Sequence, residues 1–356
     1  MLELKNAVKR YAGGGSLFKR RWLTALDGLS LDLRRGEFFS LVGESGCGKS
    51  TLARIVSGLE NLDEGEFRLD DERITDIRRF KDRSLRRRVQ MIFQDPYSSL
   101  NPRMTVGDIL KEPLVSFRWG DGAAIAKRLA ELADIIRFPA SALQRYPHQF
   151  SGGQRQRIAI ARALAAGPEL LICDEPVSAL DVSIKGQIIN LLIDIQERLG
   201  VTILFISHDL SLVSKISDRV GVMYLGKIVE IGEAQSVFED PRHPYTRLLI
   251  NSIPMVARMS SERDRLPMGE VPSPFAIPSA CRFRDRCPQA FAACAEIEPS
   301  LDAIAASASH RTACHLRDDA QPVAAASAMK PLPGMELFYS ATRKANALSE
   351  NEKETA

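Results

Sequence analysis

The sequence predicts an α/β fold around a mostly parallel sheet, and three observations lead to that class. Four short apolar runs have the length and composition of buried parallel strands, namely Phe38 to Val42, Val89 to Phe93, Leu170 to Cys173 and Thr202 to Ile206. Polar residues follow each run directly, and helical patterning lies between the runs. Because ligands bind beyond the carboxyl ends of parallel strands, we expect these polar residues to line one crevice.

The composition is that of a folded protein large enough for two domains. The chain has 356 residues, of which 45% are apolar and 26% charged. The net charge of +3 is small, and no basic block is interleaved with aromatics, which disfavours a nucleic-acid partner. The basic run Arg83 to Arg88 is interpreted as a solvated helix face. No run reaches the ~20 apolar residues that span a bilayer and no signal peptide is evident, so we expect a cytoplasmic chain.

A glycine-rich segment with a lysine follows the first apolar run and matches the phosphate-loop pattern G-x-x-x-x-G-K-[ST]. Its glycines let backbone N–H groups point at phosphate oxygens, and a helix predicted over Leu52 to Leu59 adds its positive dipole end. Lys49 would neutralise the β- and γ-phosphates, and the Ser50 hydroxyl would ligate Mg²⁺. The segment therefore predicts ATP binding with Mg²⁺ through Gly43, Ser45, Gly46, Cys47, Gly48, Lys49, Ser50 and Thr51.

Two carboxylates, Asp174 and Glu175, end the third apolar run. In the same sheet as a phosphate loop, Asp174 would hold Mg²⁺ through water, and Glu175 would act as general base on the attacking water. An acidic pair at a strand end can also be a solvated turn. The phosphate loop upstream favours the catalytic interpretation, which predicts hydrolysis of ATP.

A second anion site is predicted shortly before this strand. Four residues, Ser151, Gly152, Gly153 and Gln154, precede a helix expected over Ile158 to Ala166, and glycine N–H groups at a helix N-terminus bind anions. An ordinary Gly-Gly turn is the alternative. Together with the phosphate loop, this motif resembles the signature of ABC ATPases, and the likeness extends over residues 1 to about 240.

The resemblance to ABC ATPases implies roles for further residues. Gln94 resembles the Q-loop glutamine that senses Mg²⁺ near the membrane subunits, and His208 resembles the switch histidine that reaches the γ-phosphate. Asp181 resembles the D-loop aspartate, and Tyr11 resembles the aromatic that stacks on adenine. Because an insertion at 13–21 interrupts the family pattern, two other aromatics compete for that last role, Phe18 and Trp22.

The resemblance also implies an architecture and an assembly. It implies an antiparallel N-terminal β subdomain and a helical subdomain inserted at about 95–165, where Leu129, Leu132, Ile135 and Ile136 share one helix face. In this family the signature of one subunit closes over ATP held by the phosphate loop of another. We therefore expect a second ATPase subunit, either an identical chain or a homologous D-type one.

The C-terminal third narrows the resemblance to the ATPase subunits of bacterial oligopeptide and dipeptide importers. The residues that carry it are Met223 to Glu230, His243 to Arg247, Ser98 to Pro102 and four spaced cysteines. Within this family, the segments Tyr224-Leu225-Gly226 and Ser183-Ile184 favour the F-type subunit. The resemblance implies two membrane-spanning permease subunits, docking at the cytoplasmic face of the inner membrane, and indirectly an extracytoplasmic solute-binding protein. An ABC ATPase without membrane partners and an exporter ATPase are the alternatives.

Four cysteines crowd the segment after residue 280, namely Cys281, Cys287, Cys294 and Cys314. Four thiolates are the ligand set of a [4Fe–4S] cluster or of structural zinc, and plain reduced thiols are the third possibility. The likeness to peptide-importer ATPases favours the cluster, whose charge would be offset by Arg282, Arg284 and Arg286. Prolines after Glu239 predict a domain boundary near residue 240, a cysteine-containing domain over 241–320 and a weakly ordered tail over 321–356.

Overall fold

The computed structural model describes residues 1–13, 21–70, 72–74, 83–95, 99–253, 272–273, 275, 277–304 and 307–316, and these form two sheets flanked by helices. The strands are β1 Leu2–Gly13, β2 Arg21–Leu33, β3 Phe38–Val42, β4 Glu64–Leu69, β5 Glu72–Ile74, β6 Val89–Ile92, β7 Leu170–Asp174, β8 Thr202–Ile206, β9 Arg219–Tyr224, β10 Lys227–Glu233, β11 Asp302–Ile304 and β12 Ser307–Thr312. The helices are α1 Lys49–Val56, α2 Arg83–Arg88, α3 Val106–Ser116, α4 Gly122–Ile135, α5 Gly152–Ala165, α6 Val182–Leu199, α7 Leu210–Ile216, α8 Ala234–Glu239, α9 Pro244–Asn251 and α10 Ala292–Glu296.

The larger sheet confirms the α/β class and the four predicted strands. Its order is β11-β12-β10-β9-β3-β8-β7-β6, and the predicted strands β3, β8, β7 and β6 are parallel neighbours. Their carboxyl ends therefore lie along one edge. The sheet is mixed, however, because its other half is antiparallel. A two-residue turn joins β9 to β10 with positive φ at Leu225 (42°) and Gly226 (85°), which is the twist that a tight hairpin requires.

The predicted antiparallel N-terminal sheet is present, in the order β2-β1-β4-β5. Its inner leucines, such as Leu4 and Leu29, are buried in one apolar cluster with Leu52 of α1 and Phe39 of β3. Burial of apolar surface on this scale is what holds two sheets together. The helix that follows the phosphate loop is thus packed in the core beneath the N-terminal sheet.

Helices α3, α4 and α5 form the predicted helical region between β6 and β7. The N-caps are standard, since Thr105 accepts a hydrogen bond from the Asp108 N–H at 3.2 Å and Asp121 accepts one from the Ala124 N–H at 2.9 Å. On α4, Leu132 is buried, and the face predicted for this helix packs against the core. A single apolar cluster therefore joins the helical region to the parallel sheet.

The basic helix α2 has a structural role beyond that of a solvated face. Arg83 and Arg86 are exposed, as expected. Arg87, also exposed, lies over the ring of Trp119, 4.9 Å from its centroid, and Arg88 bonds the carboxylates of Asp70 and Glu169. These contacts tie the helix to its surroundings.

The C-terminal segment joins the larger sheet. Strand β12 pairs with β10 through Glu230↔Thr312 and Ile231↔Arg311, and β11 pairs with β12. Phe283 packs edge-on against Tyr224 with centroids 5.4 Å apart. A separate C-terminal cysteine domain is therefore not confirmed, because this segment shares the core of the ATPase sheet. The boundary near residue 240 stays a prediction, and the tail at 321–356 lies outside the described residues.

A buried carboxylate organises this junction. The Glu230 side chain is fully buried and accepts hydrogen bonds from the backbone N–H groups of Arg242 (2.7 Å) and His243 (2.9 Å). It also bonds the Nε2 of His310 at 2.7 Å. Since a buried carboxylate is costly without such partners, the three bonds hold β10, β12 and the start of α9 in one arrangement.

Replacing His243 by Asn is expected to make the fold less sensitive to acid. Burial lowers the pKa of His243 to about 4, so between pH 6.5 and 4 only the unfolded chain takes up this proton. The free energy of unfolding is therefore highest above pH 6.5 as far as this group is concerned. It decreases as the pH falls, by about 2 kcal/mol between pH 7 and pH 5. Asn keeps an N-cap acceptor for the Tyr245 N–H, which His243 Nδ1 now bonds at 3.0 Å, but does not titrate.

Urea unfolding at pH 7 and pH 5 measures this effect. The difference between the two pH values should be smaller in the Asn variant than in the natural chain. An equal loss of stability in both proteins would contradict the buried, neutral state of His243.

Candidate functional site

The phosphate loop connects β3 to α1 in a conformation that requires glycine. Gly43 has φ 154°, and a Cβ there would lie 2.2 Å from the Met223 carbonyl oxygen. Gly48 has φ 112°, and a Cβ there would lie 2.2 Å from the Ala25 carbonyl oxygen. No side chain caps α1 at Gly48. The N-terminal N–H groups of α1 are therefore free of a side-chain cap, as a phosphate site at a helix start needs.

Lys49 and Ser50 carry the functional side chains of the loop. The Lys49 ammonium is almost fully buried and donates to the carbonyls of Gly43 (2.8 Å) and Glu44 (2.9 Å). The exposed Ser50 hydroxyl donates to Asp174 Oδ1 at 3.2 Å. The structure thus brings together the loop and the first predicted carboxylate, although 124 residues separate them in sequence.

Asp174 is a buried carboxylate at the end of β7, only 8% exposed. Burial raises its pKa and the neighbouring Glu175 adds to the rise, while the Ser50 hydrogen bond opposes it. Hard oxygen ligands such as this carboxylate and the Ser50 hydroxyl are those that Mg²⁺ prefers. The residues present therefore fit a magnesium nucleotide held between the loop and β7.

Glu175 contacts two other residues that the sequence predicted for the site, Gln94 and His208. Gln94 Nε2 donates to Glu175 Oε2 at 3.2 Å, and His208 Nδ1 lies 3.3 Å from Glu175 Oε1. Glu175 has the left-handed φ of 47°, and its N–H donates to the Ile206 carbonyl at 3.0 Å. Non-glycine residues in this region are strained, and such strain is concentrated at functional sites. Three strand ends thus meet at one carboxylate.

The signature segment opens a helix whose packing partners differ from those of the phosphate-loop helix. Ser151 caps α5 and forms a reciprocal capping box with Gln154. Helix α5 packs on α3, α4, α6 and β6, whereas α1 packs on β2 and β7. A Cβ on Gly153 would lie 2.4 Å from Ile184 Cγ2, so this glycine also allows α5 and α6 to approach. That packing role was not evident from the sequence.

The roles proposed for Asp181 and Tyr11 stay predictions. Asp181 is exposed at the start of α6, and its side chain makes no capping hydrogen bond. The Tyr11 hydroxyl bonds Glu60 and lies 3.5 Å from the Thr51 hydroxyl, which places this aromatic beside α1. Of its competitors for the adenine, Trp22 is 52% exposed and Phe18 lies outside the described residues.

Three contacts to the phosphate loop were missed from the sequence. The Glu44 N–H donates to the Tyr245 hydroxyl at 2.9 Å, and the Glu44 carboxylate accepts two hydrogen bonds from Arg286. The N–H of Gly226 donates to the Cys47 carbonyl at 2.8 Å. Each partner is more than 170 residues away in sequence, so no local pattern could have identified it.

Two of the four C-terminal cysteines are linked through the backbone, since the Cys281 N–H donates to the Cys294 carbonyl at 3.1 Å. Burial raises the pKa of Cys281, Cys287 and Cys314, and neighbouring thiols of the group raise each pKa further. Within the described residues, no group of three or more His, Cys, Asp or Glu side chains is arranged to hold a metal ion, so the predicted cluster is not confirmed.

The arginines expected to balance that cluster have other partners. Arg282 bonds Asp27 and the Leu225 carbonyl, and Arg286 bonds Glu44. Arg284 bonds the carbonyls of Ser279 and Ala295. Their charges are therefore directed to carboxylates and carbonyl oxygens.

Known proteins resemble the chain over most of its length. Two family models match it, "ABC transporter" over residues 26–178 and "Oligopeptide/dipeptide transporter, C-terminal region" over residues 229–294. The oligopeptide transport ATP-binding protein AppF of Bacillus subtilis is 46% identical over 321 residues, which are 89% of this chain and 97% of AppF.

Solved structures agree with these matches. The dimeric ATP-binding cassette MJ0796 bound to ADP and phosphate has a TM-score of 0.58 at 31% identity, covering 66% of this chain and 99% of the cassette. The protein cbiO1 of Clostridium perfringens, part of the ABC transporter complex cbiONQ, has a TM-score of 0.60 at 28% identity, covering 72% and 97%. Sequence motifs, fold and relatives thus agree that the chain belongs to the ATP-binding proteins of ABC transporters, a family of transport-coupled ATPases, and carries the C-terminal region of the oligopeptide/dipeptide transporters.

Proposed function

We propose that this chain hydrolyses ATP to power the import of dipeptides, oligopeptides or related small solutes across the cytoplasmic membrane. The observation that carries the proposal is the match of residues 229–294 to the oligopeptide/dipeptide transporter region on a chain that also bears the ATPase site. AppF, 46% identical, is named as an oligopeptide transport protein. The same match disfavours the alternatives of an exporter ATPase or an ABC ATPase without membrane partners.

The site residues divide the chemistry between binding and catalysis. Lys49 and the N–H groups at the start of α1 would bind the phosphates. Ser50 and Gln94 would supply oxygen ligands to Mg²⁺, and Asp174 would hold the ion through water. Bound Mg²⁺ offsets the charge that develops on the phosphates. Glu175 takes a proton from the attacking water, while Gln94 and His208, both within 3.3 Å of its carboxylate, orient it.

Two copies of the ATPase complete the site in this proposal. The signature helix α5 and the phosphate-loop helix α1 pack on different elements of the chain, so one chain offers two half-sites to two nucleotides. Ser151 to Gln154 and Asp181 would face ATP bound to the second subunit, which is an identical chain or a homologous D-type one. The solved structure of MJ0796 is described as a dimer.

The membrane partners would be two permease subunits that receive a peptide from an extracytoplasmic solute-binding protein. Among the described residues, no helix is long and apolar enough to cross a bilayer. The Q-loop begins at Gln94, whose amide contacts Glu175, and leads into the helical region. Binding of the permease there, at the cytoplasmic face of the inner membrane, would couple hydrolysis to transport.

We also propose a metal centre at the four C-terminal cysteines. Neighbouring thiols of the group add to the raised pKa of Cys281 and Cys287, and a bound metal would favour the thiolate form. Either a [4Fe–4S] cluster or zinc would use Cys281, Cys287, Cys294 and Cys314 as its four ligands. Its role would be structural, because this segment packs on the ATPase core near the phosphate loop.

Purification of the tagged chain from its natural membrane under anaerobic conditions tests the assembly. We expect two multi-span membrane proteins and a second ATPase subunit to copurify, and the complex to hydrolyse ATP. Recovery of the chain with DNA, RNA or soluble partners alone would overturn the transport function.

Metal analysis of the same preparation separates the cysteine alternatives. Iron with acid-labile sulfide supports the cluster, and one zinc per chain supports the zinc site. A chain without either metal would refute a metal centre while leaving the ATPase proposal intact.

A further inference from the structure

An arginine of the C-terminal segment reaches into the phosphate loop. Arg286 donates from Nη1 and Nη2 to the two carboxylate oxygens of Glu44, at 2.8 and 2.9 Å. The Arg286 side chain is only 7% exposed and the Glu44 side chain 25%. This two-bond geometry in a mostly buried setting is the strong form of an ion pair.

Further contacts hold the same two residues. The Glu44 N–H donates to the Tyr245 hydroxyl at 2.9 Å, and Arg286 Nη1 also donates to the Tyr224 hydroxyl at 3.3 Å. The Arg286 guanidinium lies 5.8 Å from the ring centroids of both Tyr224 and Phe283. The arginine is therefore fixed by packing before it meets the carboxylate.

The charge of Glu44 would be unfavourable without this partner. Glu44 directly follows Gly43, and its own carbonyl oxygen accepts a hydrogen bond from the Lys49 ammonium. An uncompensated carboxylate at this point would compete with the phosphates for Lys49 and repel them. Pairing with Arg286 removes that competition and keeps Lys49 available.

We propose that Arg286 is a positioning residue for ATP binding, which neutralises Glu44 and fixes the backbone of the phosphate loop from the C-terminal segment. The inference rests on the proposed role of this loop in binding ATP. It gives the cysteine-bearing segment an influence on the affinity for nucleotide. The residue acts through Glu44, with which it forms two hydrogen bonds.

A double-mutant cycle on the full-length chain tests the proposal. We expect Arg286→Ala to weaken binding of a fluorescent ATP analogue with Mg²⁺ by about tenfold, the size expected for one uncompensated charge near phosphates. In the Glu44→Gln background, the same Arg286→Ala change should weaken binding by less than about twofold, because no negative charge is left to neutralise. Arg286→Lys keeps the charge without the two-bond geometry, and it should bind with intermediate affinity.

Arg284→Ala is the matched control. Arg284 lies in the same segment, but its guanidinium bonds Ser279, Ala295 and Asp285, all within that segment. This variant should bind nucleotide like the natural chain. Melting temperature and metal content are measured for every variant, so that a general loss of structure is recognised.

The outcomes separate this inference from the proposed function. Weakening of equal size in both backgrounds, or unchanged affinity in a folded Arg286→Ala variant, would overturn the positioning role. If the natural chain itself binds no nucleotide, the proposed function fails first. If Arg286→Ala does not fold, the Arg286→Lys variant in both Glu44 backgrounds decides the question.

Discussion

Replacing Glu175 by Gln is expected to lower the rate of ATP hydrolysis by about 10²- to 10⁴-fold while ATP binding persists. The amide cannot take the proton of the attacking water, although it has nearly the same size as the carboxylate. The phosphate loop, Ser50 and Asp174 are untouched by the change. Gln also keeps oxygen and nitrogen atoms within reach of Gln94 and His208, which now lie 3.2 and 3.3 Å from the carboxylate.

Steady-state phosphate release and equilibrium ATP binding measure the two halves of this prediction. Because hydrolysis is slowed while binding continues, a dimer closed on ATP should accumulate and be visible by size-exclusion chromatography. Glu169→Gln is the matched control, since Glu169 precedes the opposite end of β7 and pairs with Arg35 and Arg88. Hydrolysis at the natural rate in the Glu175 variant would show that another group is the base.

Replacing Lys49 by Ala is expected to act at an earlier step and to weaken ATP binding by about 100-fold or more. The ammonium is the only positive side chain within the loop segment 43–51, and it is held inside the loop by the carbonyls of Gly43 and Glu44. Without it, the β- and γ-phosphates meet the loop with no neutralising charge. Hydrolysis is then lost because the substrate is not bound.

Direct binding titrations with Mg·ATP measure this affinity. Lys127→Ala is the control, because it removes an exposed lysine of α4 that lies outside the loop. Lys49→Arg should also bind poorly, since the buried position leaves little room for the wider guanidinium. Unchanged affinity in Lys49→Ala would refute the assignment of the phosphate-binding lysine.

Local sequence patterns predicted the elements that carry the nucleotide chemistry. Strands β3 and β8 have the predicted bounds, and β6 and β7 differ from the prediction by one residue each. Strands are predicted reliably from such short apolar runs when turn signals or motifs lie at both ends of the run. Parallel pairing then brings Ser50, Asp174, Glu175 and Gln94 to one edge, because a parallel sheet aligns its carboxyl ends.

Other features depended on residues whose effects are not local. Leu225 and Gly226 form a tight turn that makes half of the sheet antiparallel. In the sequence, these residues indicated only the resemblance to a family. Likewise, Gly153 matched a signature motif, but its contact with Ile184 depends on how α5 and α6 pack. A one-dimensional pattern holds no information on the partner across such an interface.

By itself, the sequence determined the α/β class, the phosphate loop, the acidic strand end and the family. These depend on residues close together in the chain, where spacing and backbone propensity act directly. Only the tertiary structure decided that β12 extends the ATPase sheet and that Arg286 meets Glu44 across 242 residues. The physical reason is that burial and charge pairing are satisfied by any suitable partner in space, so the partner is chosen by the packing of the whole chain.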